Sequence, residues 1–278
     1  MRLARVIHDG SVWLARLEGS AAVLLVEESN HPAADVLREA LADGVDFDST
    51  GTRVGSDAVS MLAPAANPSK IIAVGLNYRA HADESQMETP PAPLLFAKTP
   101  NTVLGPDAEV MVAVGSTTQL DYEGEMAAII GLEASRVPVA TALDHVFGYT
   151  VSNDVSARDA QFADGQWTRG KSFDGFCPLG PWLVTADELG DPQNLELSTV
   201  VNGVEQQRAG TDAMIFPVAE LVSYISQTIT LVPGDVILTG TPEGVGFAQD
   251  PPVYLADGHE VTVTVRGIGT LRNRIRFV

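Results

Sequence analysis

One cysteine, Cys177, in 278 residues leaves no partner for an internal disulfide and too few thiolates for a sulfur-ligated metal site within one chain. Any metal must then be held by oxygen or imidazole. Histidine is also scarce and scattered, at positions 8, 31, 81, 145 and 259, so nothing reads as a histidine-rich metal motif. No apolar run approaches the roughly 18 to 20 residues that a membrane-spanning helix needs, and residues 1–13 lack the continuous apolar stretch of a signal peptide. A cytoplasmic protein is the expectation. Basic residues are in short supply: 17 Lys and Arg stand against 36 Asp and Glu, a formal net charge of -19. That field repels nucleic acid and anionic membrane, which removes both from the expected partners. A small anionic substrate stays admissible, because screening limits the field to about 8 Å at physiological salt and a few local cations override it. What is present is ordinary: 45% hydrophobic residues, the proportion of a folded globular chain.

Short strands are expected at 2–6, 12–17 and 22–26, with Asp9-Gly10 and Gly19-Ser20 as the turns between them, and a helix near 33–42. The stretch 61–70, with Pro64, Pro68 and Ser69, reads as a linker. This divides the chain into a small β-rich N-terminal domain, 1–69, and a larger domain, 70–278. In the second part strands are expected at 71–74, 94–97, 126–130, 147–152, 182–185, 196–201, 235–239 and 261–265. Asn202-Gly203 marks a two-residue hairpin before 204–208, because both residues tolerate positive φ. Helices are expected at 156–162 and 218–227. Strands do not alternate regularly with helices, which argues against a doubly wound parallel sheet. The fold class is therefore mixed and β-rich, with few helices.

On a strand, Glu123 and Glu125 project to one face about 6 to 7 Å apart, a spacing at which two carboxylates converge on one cation. A solvated strand edge is the commoner meaning of a bare E-x-E. Asp154 adds a third carboxylate at the end of the strand 147–152, a place where side chains are held by the sheet yet reach an opening. Three carboxylates without thiol or imidazole suit a hard cation, Mg2+ by preference, with Mn2+ or Ca2+ as alternatives. His81 and Glu84 form H-x-x-E, which puts both on one side of a helical turn and lets the carboxylate orient the imidazole; an exposed loop histidine is the alternative. The polar, Pro-containing stretch 77–93 reads as a mobile lid carrying this pair. Lys98, following the strand 94–97, is placed to face a cavity.

Six blocks then become recognisable together: V-G-L-N-Y-R-A-H at 74–81, D-Y-E-G-E at 121–125, S-N-D-V-S-A-R-D-A-Q at 152–161, R-G-K-S-F-D at 169–174, P-L-G-P at 178–181 and T-G-T-P-E-G-V-G at 239–246. In this order and separation they resemble the fumarylacetoacetate hydrolase family over about 200 residues. The small bacterial members are the nearest in kind: acylpyruvate hydrolases, oxaloacetate decarboxylases and hydroxyhepta-diene-dioate isomerases. The resemblance implies mixed β-sheets rolled into a barrel-like core, a homodimer, and Mg2+ or Mn2+ held by Glu123, Glu125 and Asp154. It also implies Lys171 as the catalytic lysine, His81 and Glu84 as a water-activating dyad, and Arg158 and Gln161 as a substrate-binding pair on one helix face. Gly240 and Thr241 offer a close backbone approach, amides and a hydroxyl suited to a substrate carboxylate. An additional aspartate before the lid and a tyrosine near the metal, which larger eukaryotic members carry, are missing here, and this argues against fumarylacetoacetate itself as substrate.

The implied activity is Mg2+-dependent hydrolysis of a carbon-carbon bond in an acylpyruvate, such as fumarylpyruvate, through a stabilised pyruvate enolate. Oxaloacetate decarboxylation and 2-hydroxyhepta-2,4-diene-1,7-dioate isomerisation are the alternatives on the same residues. A non-enzymatic carboxylate- or metal-binding protein is the remoter one.

Overall fold

Strict alternation of valine with threonine at 261–265 buries Val261, Val263 and Val265 and leaves Thr262 and Thr264 half-exposed. The strand Glu260–Val265 sits accordingly inside a five-stranded sheet with one wet face. Its order is Val204–Gly210, Glu196–Val201, Glu260–Val265, Gly269–Phe277 and Glu109–Val112. The hairpin at Asn202-Gly203 forms as expected, with both residues at positive φ. Gly124–Ile130 shows the opposite pattern, being buried at every position. It lies between Val146–Asn153 and Val236–Leu238, in the middle of a twelve-stranded sheet that is covered on both faces there.

The computed structural model describes residues 1–29, 31 and 34–278. The large sheet runs Thr52–Gly55, Ala21–Glu27, Ser11–Glu18, Arg2–His8, Cys177–Thr185, Val146–Asn153, Gly124–Ile130, Val236–Leu238, Ile71–Gly75 and Leu94–Lys98. Ser60–Leu62 and Val103–Leu104 pair off this path. Most ladders are antiparallel, but Val236–Leu238 runs parallel to Ile71–Gly75, Gly269–Phe277 to Glu109–Val112, and Cys177–Thr185 to Val103–Leu104. The N-terminal strands continue the sheet of the larger part directly, through Arg2 opposite Val184 and Leu3 opposite Leu183. Among the described residues no helix is long and apolar enough to cross a membrane.

Two helices begin later than the sequence suggests, the first for a local reason and the second for a tertiary one. The first spans Val36–Asp43, because the Asp35 carboxylate caps it by accepting the Arg38 amide at 3.1 Å. The same side chain accepts the amides of Ala66 and Asn67, which ties the expected linker to the helix start. The expected start at Ala33 lies outside the described residues. The second does not begin at Ser156: Ser156–Ala157 is extended and pairs with Leu120–Asp121, and the helix spans Arg158–Asp164. The consequence is functional, since Arg158 becomes the first helical residue beside that bridge.

Candidate metal and acid-base site

The site is assembled where two central strands end. Glu125 lies opposite Ser152 and Gly124 opposite Asn153 in the ladder joining Gly124–Ile130 to Val146–Asn153. The strand ends are stitched once more beyond it: the Asp154 amide donates to the Glu123 carbonyl at 2.8 Å, and the Glu123 amide to Asn153 Oδ1 at 3.0 Å. Register thus brings Asp154 beside the Glu123/Glu125 pair. One oxygen from each of Glu123, Glu125 and Asp154 lies within 4.8 Å of the other two, and all three residues are buried. Gly124 is needed between the glutamates because a Cβ there would stand 2.0 Å from Thr199 Oγ1, on the five-stranded sheet that packs against this strand.

Cations surround the cluster. Lys171, closing the short helix Thr168–Lys171, donates from Nζ to Glu123 Oε2 at 2.7 Å and to Asp154 Oδ2 at 3.0 Å. Gly170 permits this, as a Cβ would lie 2.5 Å from the Gln161 amide. Lys98 holds the other Asp154 oxygen, Oδ1, at 2.5 Å and also reaches the Val155 carbonyl. Arg158 pairs through Nε with Asp121 at 2.9 Å and through Nη1 with Glu123 at 2.6 Å and Gln161 Oε1 at 3.0 Å. Its guanidinium carbon lies 4.3 Å from the centroid of the Phe247 ring. Asp121 receives the amides of Gly246 and Phe247 as well, so it fastens the 239–246 loop to the arginine.

Charge and burial act in opposite directions on the two glutamates. Burial pushes Glu123 up, but the Lys171 ammonium, the Arg158 guanidinium and His81 outweigh it and hold the carboxyl at about 2. Burial, then repulsion from Asp154 and Glu123, pushes Glu125 well above the usual carboxylate range, with the Gly240 amide and Lys171 opposing. Glu125 forms no ion pair with a described residue; its Oε2 accepts the Gly240 amide at 2.7 Å. Four buried carboxylates, with Asp121 counted, therefore face three cations. This donor set fits a hard divalent ion: all-oxygen, convergent, and carrying one carboxylate that no side-chain cation neutralises.

His81, on the helix Arg79–Glu84, is 6% exposed, and its Nδ1 lies 2.8 Å from Glu84 Oε1. The other Glu84 oxygen accepts the Gly244 amide at 2.8 Å, so the dyad is braced against the 239–246 loop. With Nδ1–H donated to the carboxylate, Nε2 is the free basic nitrogen. His81, Glu123, Arg158, Gln161, Lys171 and Thr241 line one cavity together with Phe96, Trp167 and Phe247. It leaves about 20 Å³ free, the room of a single water molecule.

The T-G-T-P-E-G loop braces the carboxylate cluster. Gly240 gives its amide to Glu125, and the Thr241 hydroxyl donates to the Gly124 carbonyl at 2.9 Å while accepting from Gln207 at 2.8 Å. These bonds shape the carboxylate cluster, and Thr241 also lines the cavity. Gly240 also needs its φ of +97, with a Cβ there only 2.7 Å from Asn77 Cβ. Asp121 and Phe247 received no role from the sequence. The signal for Asp121 was its place at the head of D-Y-E-G-E; Phe247 carries none.

Cys177 lies below the cluster, fully buried, with Ser152 Oγ 3.8 Å from its sulfur. Burial pushes its thiol up to about 12, with Lys98 opposing and Asp154 adding. The thiolate is the reacting species, so iodoacetamide is expected to leave the native protein unlabelled at neutral pH. One adduct by mass spectrometry should appear only after denaturation; labelling of the native chain at a free-thiol rate would contradict this burial.

The fumarylacetoacetate (FAA) hydrolase C-terminal family model matches residues 70–276. The mitochondrial oxaloacetate tautomerase Fahd2a of Rattus norvegicus is 40% identical over 249 residues, 89% of this chain and 77% of that protein. Among solved structures, the fumarylacetoacetate hydrolase of Exiguobacterium antarcticum is 38% identical with a TM-score of 0.88, covering 100% of both chains. The 2-hydroxyhepta-2,4-diene-1,7-dioate isomerase of Mycobacterium marinum is 39% identical with a TM-score of 0.81, covering 100% of this chain and 98% of that one. A family match over most of the chain, with buried Glu123, Glu125 and Asp154 beside Lys171, leads to one conclusion: the chain belongs to the fumarylacetoacetate hydrolase family.

Proposed function

We propose that this protein is an enzyme that enolises a small 2-oxo acid, with oxaloacetate as substrate and Mg2+ as its ion. The observation that carries the reading is a base and an acid facing one cavity: His81, oriented by Glu84, and the Lys171 ammonium beside three carboxylates. A divalent cation held by Glu123, Glu125 and Asp154 supplies Lewis-acid polarisation to a ligand with two adjacent oxygens. Arg158 Nη2 is buried and has no hydrogen-bond partner within the protein, which suits it to the substrate carboxylate. Lys171 spends two of its three N–H donors on Glu123 and Asp154, and the third is available to the C2 oxygen. His81 Nε2 takes the proton from C3 while charge develops on that oxygen, where Lys171 donates. Delivering the proton to the C2 oxygen completes tautomerisation to the enol, whereas returning one to C3 regenerates the keto acid with its hydrogen exchanged. The cavity must open to admit a substrate, and movement of the helix Arg79–Glu84, which carries His81, is the opening this reading calls for.

The names of the relatives support keto–enol chemistry in this way. Hydrolysis of an acylpyruvate is the second reading, favoured by the room for one water near His81, whose Nε2 would then take its proton from water. In deuterium oxide, the Mg2+-loaded protein should exchange the C3 hydrogens of oxaloacetate faster than buffer. His81→Ala is expected to slow this by about 10²- to 10⁴-fold. No acceleration by the folded wild-type protein would end the enolisation reading. Pyruvate release from fumarylpyruvate and acetylpyruvate, followed alongside, assigns the hydrolytic one, and CO2 from oxaloacetate scores decarboxylation.

A further inference from the structure

Two buried polar atoms beside this cavity lack a hydrogen-bond partner within the protein. One is Arg158 Nη2; the other is Ser85 Oγ. Ser85 closes the helix Arg79–Glu84, its amide donating to the His81 carbonyl at 3.1 Å, so it is fixed to the same short segment as the base. The carboxylates, Lys98 and Lys171 belong to the sheet and the helix Thr168–Lys171. Ser85 shares one cavity with Arg158 and Lys171, so a ligand held by these two at its C1 carboxylate and C2 oxygen has its distal portion left for the segment that carries Ser85. A hydroxyl shielded from solvent and unpaired is poorly tolerated unless a ligand supplies the acceptor. Within the protein no acceptor lies in hydrogen-bond reach of it.

We propose that Ser85 is a specificity-determining residue: its hydroxyl donates to an acceptor at the far end of the 2-oxo acid, so the site selects dicarboxylates over monocarboxylates with the same head. The inference rests on the 2-oxo-acid reading above and names which members of that class the site prefers. A loss of the hydroxyl should therefore act on one end of the ligand only.

The test is calorimetric titration of the full-length, Mg2+-loaded protein with L-malate and with L-lactate, unreactive 2-hydroxy acids that differ by the distal carboxylate. Wild-type protein is expected to prefer malate by roughly tenfold or more, the scale of a hydrogen bond to a charged group. Ser85→Ala should lose about tenfold in malate affinity with lactate binding unchanged, and Ser85→Thr, which keeps the hydroxyl, should restore the preference. Retained malate preference in Ser85→Ala, or a parallel loss of both ligands with a native melting profile, overturns the assignment. Should Ser85→Ala fail to fold, a Ser85→Thr protein with no malate preference overturns it equally. If neither ligand binds the wild-type protein, the 2-oxo-acid reading itself falls and takes this inference with it. A failure confined to the Ser85 variants leaves that reading standing.

Discussion

Replacing Lys171 by methionine is expected to lower kcat for oxaloacetate enolisation by about 10²- to 10³-fold, the usual cost of removing one donor to a developing oxyanion. Methionine keeps much of the stem and its packing against Phe96, whose ring centroid lies 5.1 Å from Nζ. What disappears is the ammonium that bridges Glu123 and Asp154 at the cavity wall. Removing one partner of a buried ion pair leaves uncompensated charge, and about 3 to 5 kcal/mol of fold stability is at risk in the metal-free protein. Mg2+ should restore part of it, because the ion takes over the neutralisation of the same carboxylates. Lys171→Arg is not expected to rescue the rate, since a planar fork cannot reproduce a point donor in so narrow a space. Steady-state assays with melting curves with and without Mg2+ separate the two effects. A folded Lys171→Met protein with more than a tenth of the wild-type rate would sink the role given to this residue.

Glu125→Gln is expected to stabilise the metal-free protein and to abolish its stabilisation by Mg2+. The direction follows from linkage. Burial and two neighbouring carboxylates raise the folded-state pKa of Glu125, so its favourable contribution is full below the unfolded value near 4.5 and is lost as pH rises through the folded one. Glu123 has the opposite sign: held at about 2, it contributes above 4.5 and loses that contribution as pH falls toward 2. Glutamine cannot ionise, can still accept the Gly240 amide, and can offer its own N–H to Glu123 or Asp154. The advantage of the variant over wild type should therefore grow as pH rises above about 4.5, read as a widening difference in Tm. Saturating Mg2+ should raise the wild-type Tm and leave that of Glu125→Gln unchanged. Equal Mg2+ shifts in both proteins would show that Glu125 is not a ligand.

Much of the architecture was legible because it is written locally. Strands at 71–74, 94–97, 126–130 and 196–201 were read from apolar and β-branched runs, and the hairpin from Asn202-Gly203. Gly269–Phe277 was not read, although its Leu271, Asn273 and Ile275 are buried and alternate with exposed Arg272, Arg274 and Arg276. Three arginines on its wet face and an asparagine among the buried positions dilute the apolar period. The start of the helix at Arg158 rather than Ser156 depends on pairing with Leu120–Asp121, some 36 residues away, and no neighbouring residue announces it.

The site divides along the same line. Glu123 and Glu125 on one face of a strand, and His81 within reach of Glu84, follow from periods of two and of about 3.6, which are properties of the backbone itself. Their meeting with Asp154 does not. It needs the register that sets Gly124 opposite Asn153, and the lysines reach the cluster across 48 and 56 residues of chain. Gly240 and Thr241 show the difference most clearly, since their types suited a substrate carboxylate and only the packing showed them already bonded to Glu125 and Gly124. The amino-acid sequence by itself determined the β-rich class, the exclusion of a sulfur-ligated metal site, and the family. Tertiary structure alone decided which carboxylate lacks a cation, which donors stay free and which residues share one cavity, because those depend on contacts between segments that the chain's local geometry does not bring together.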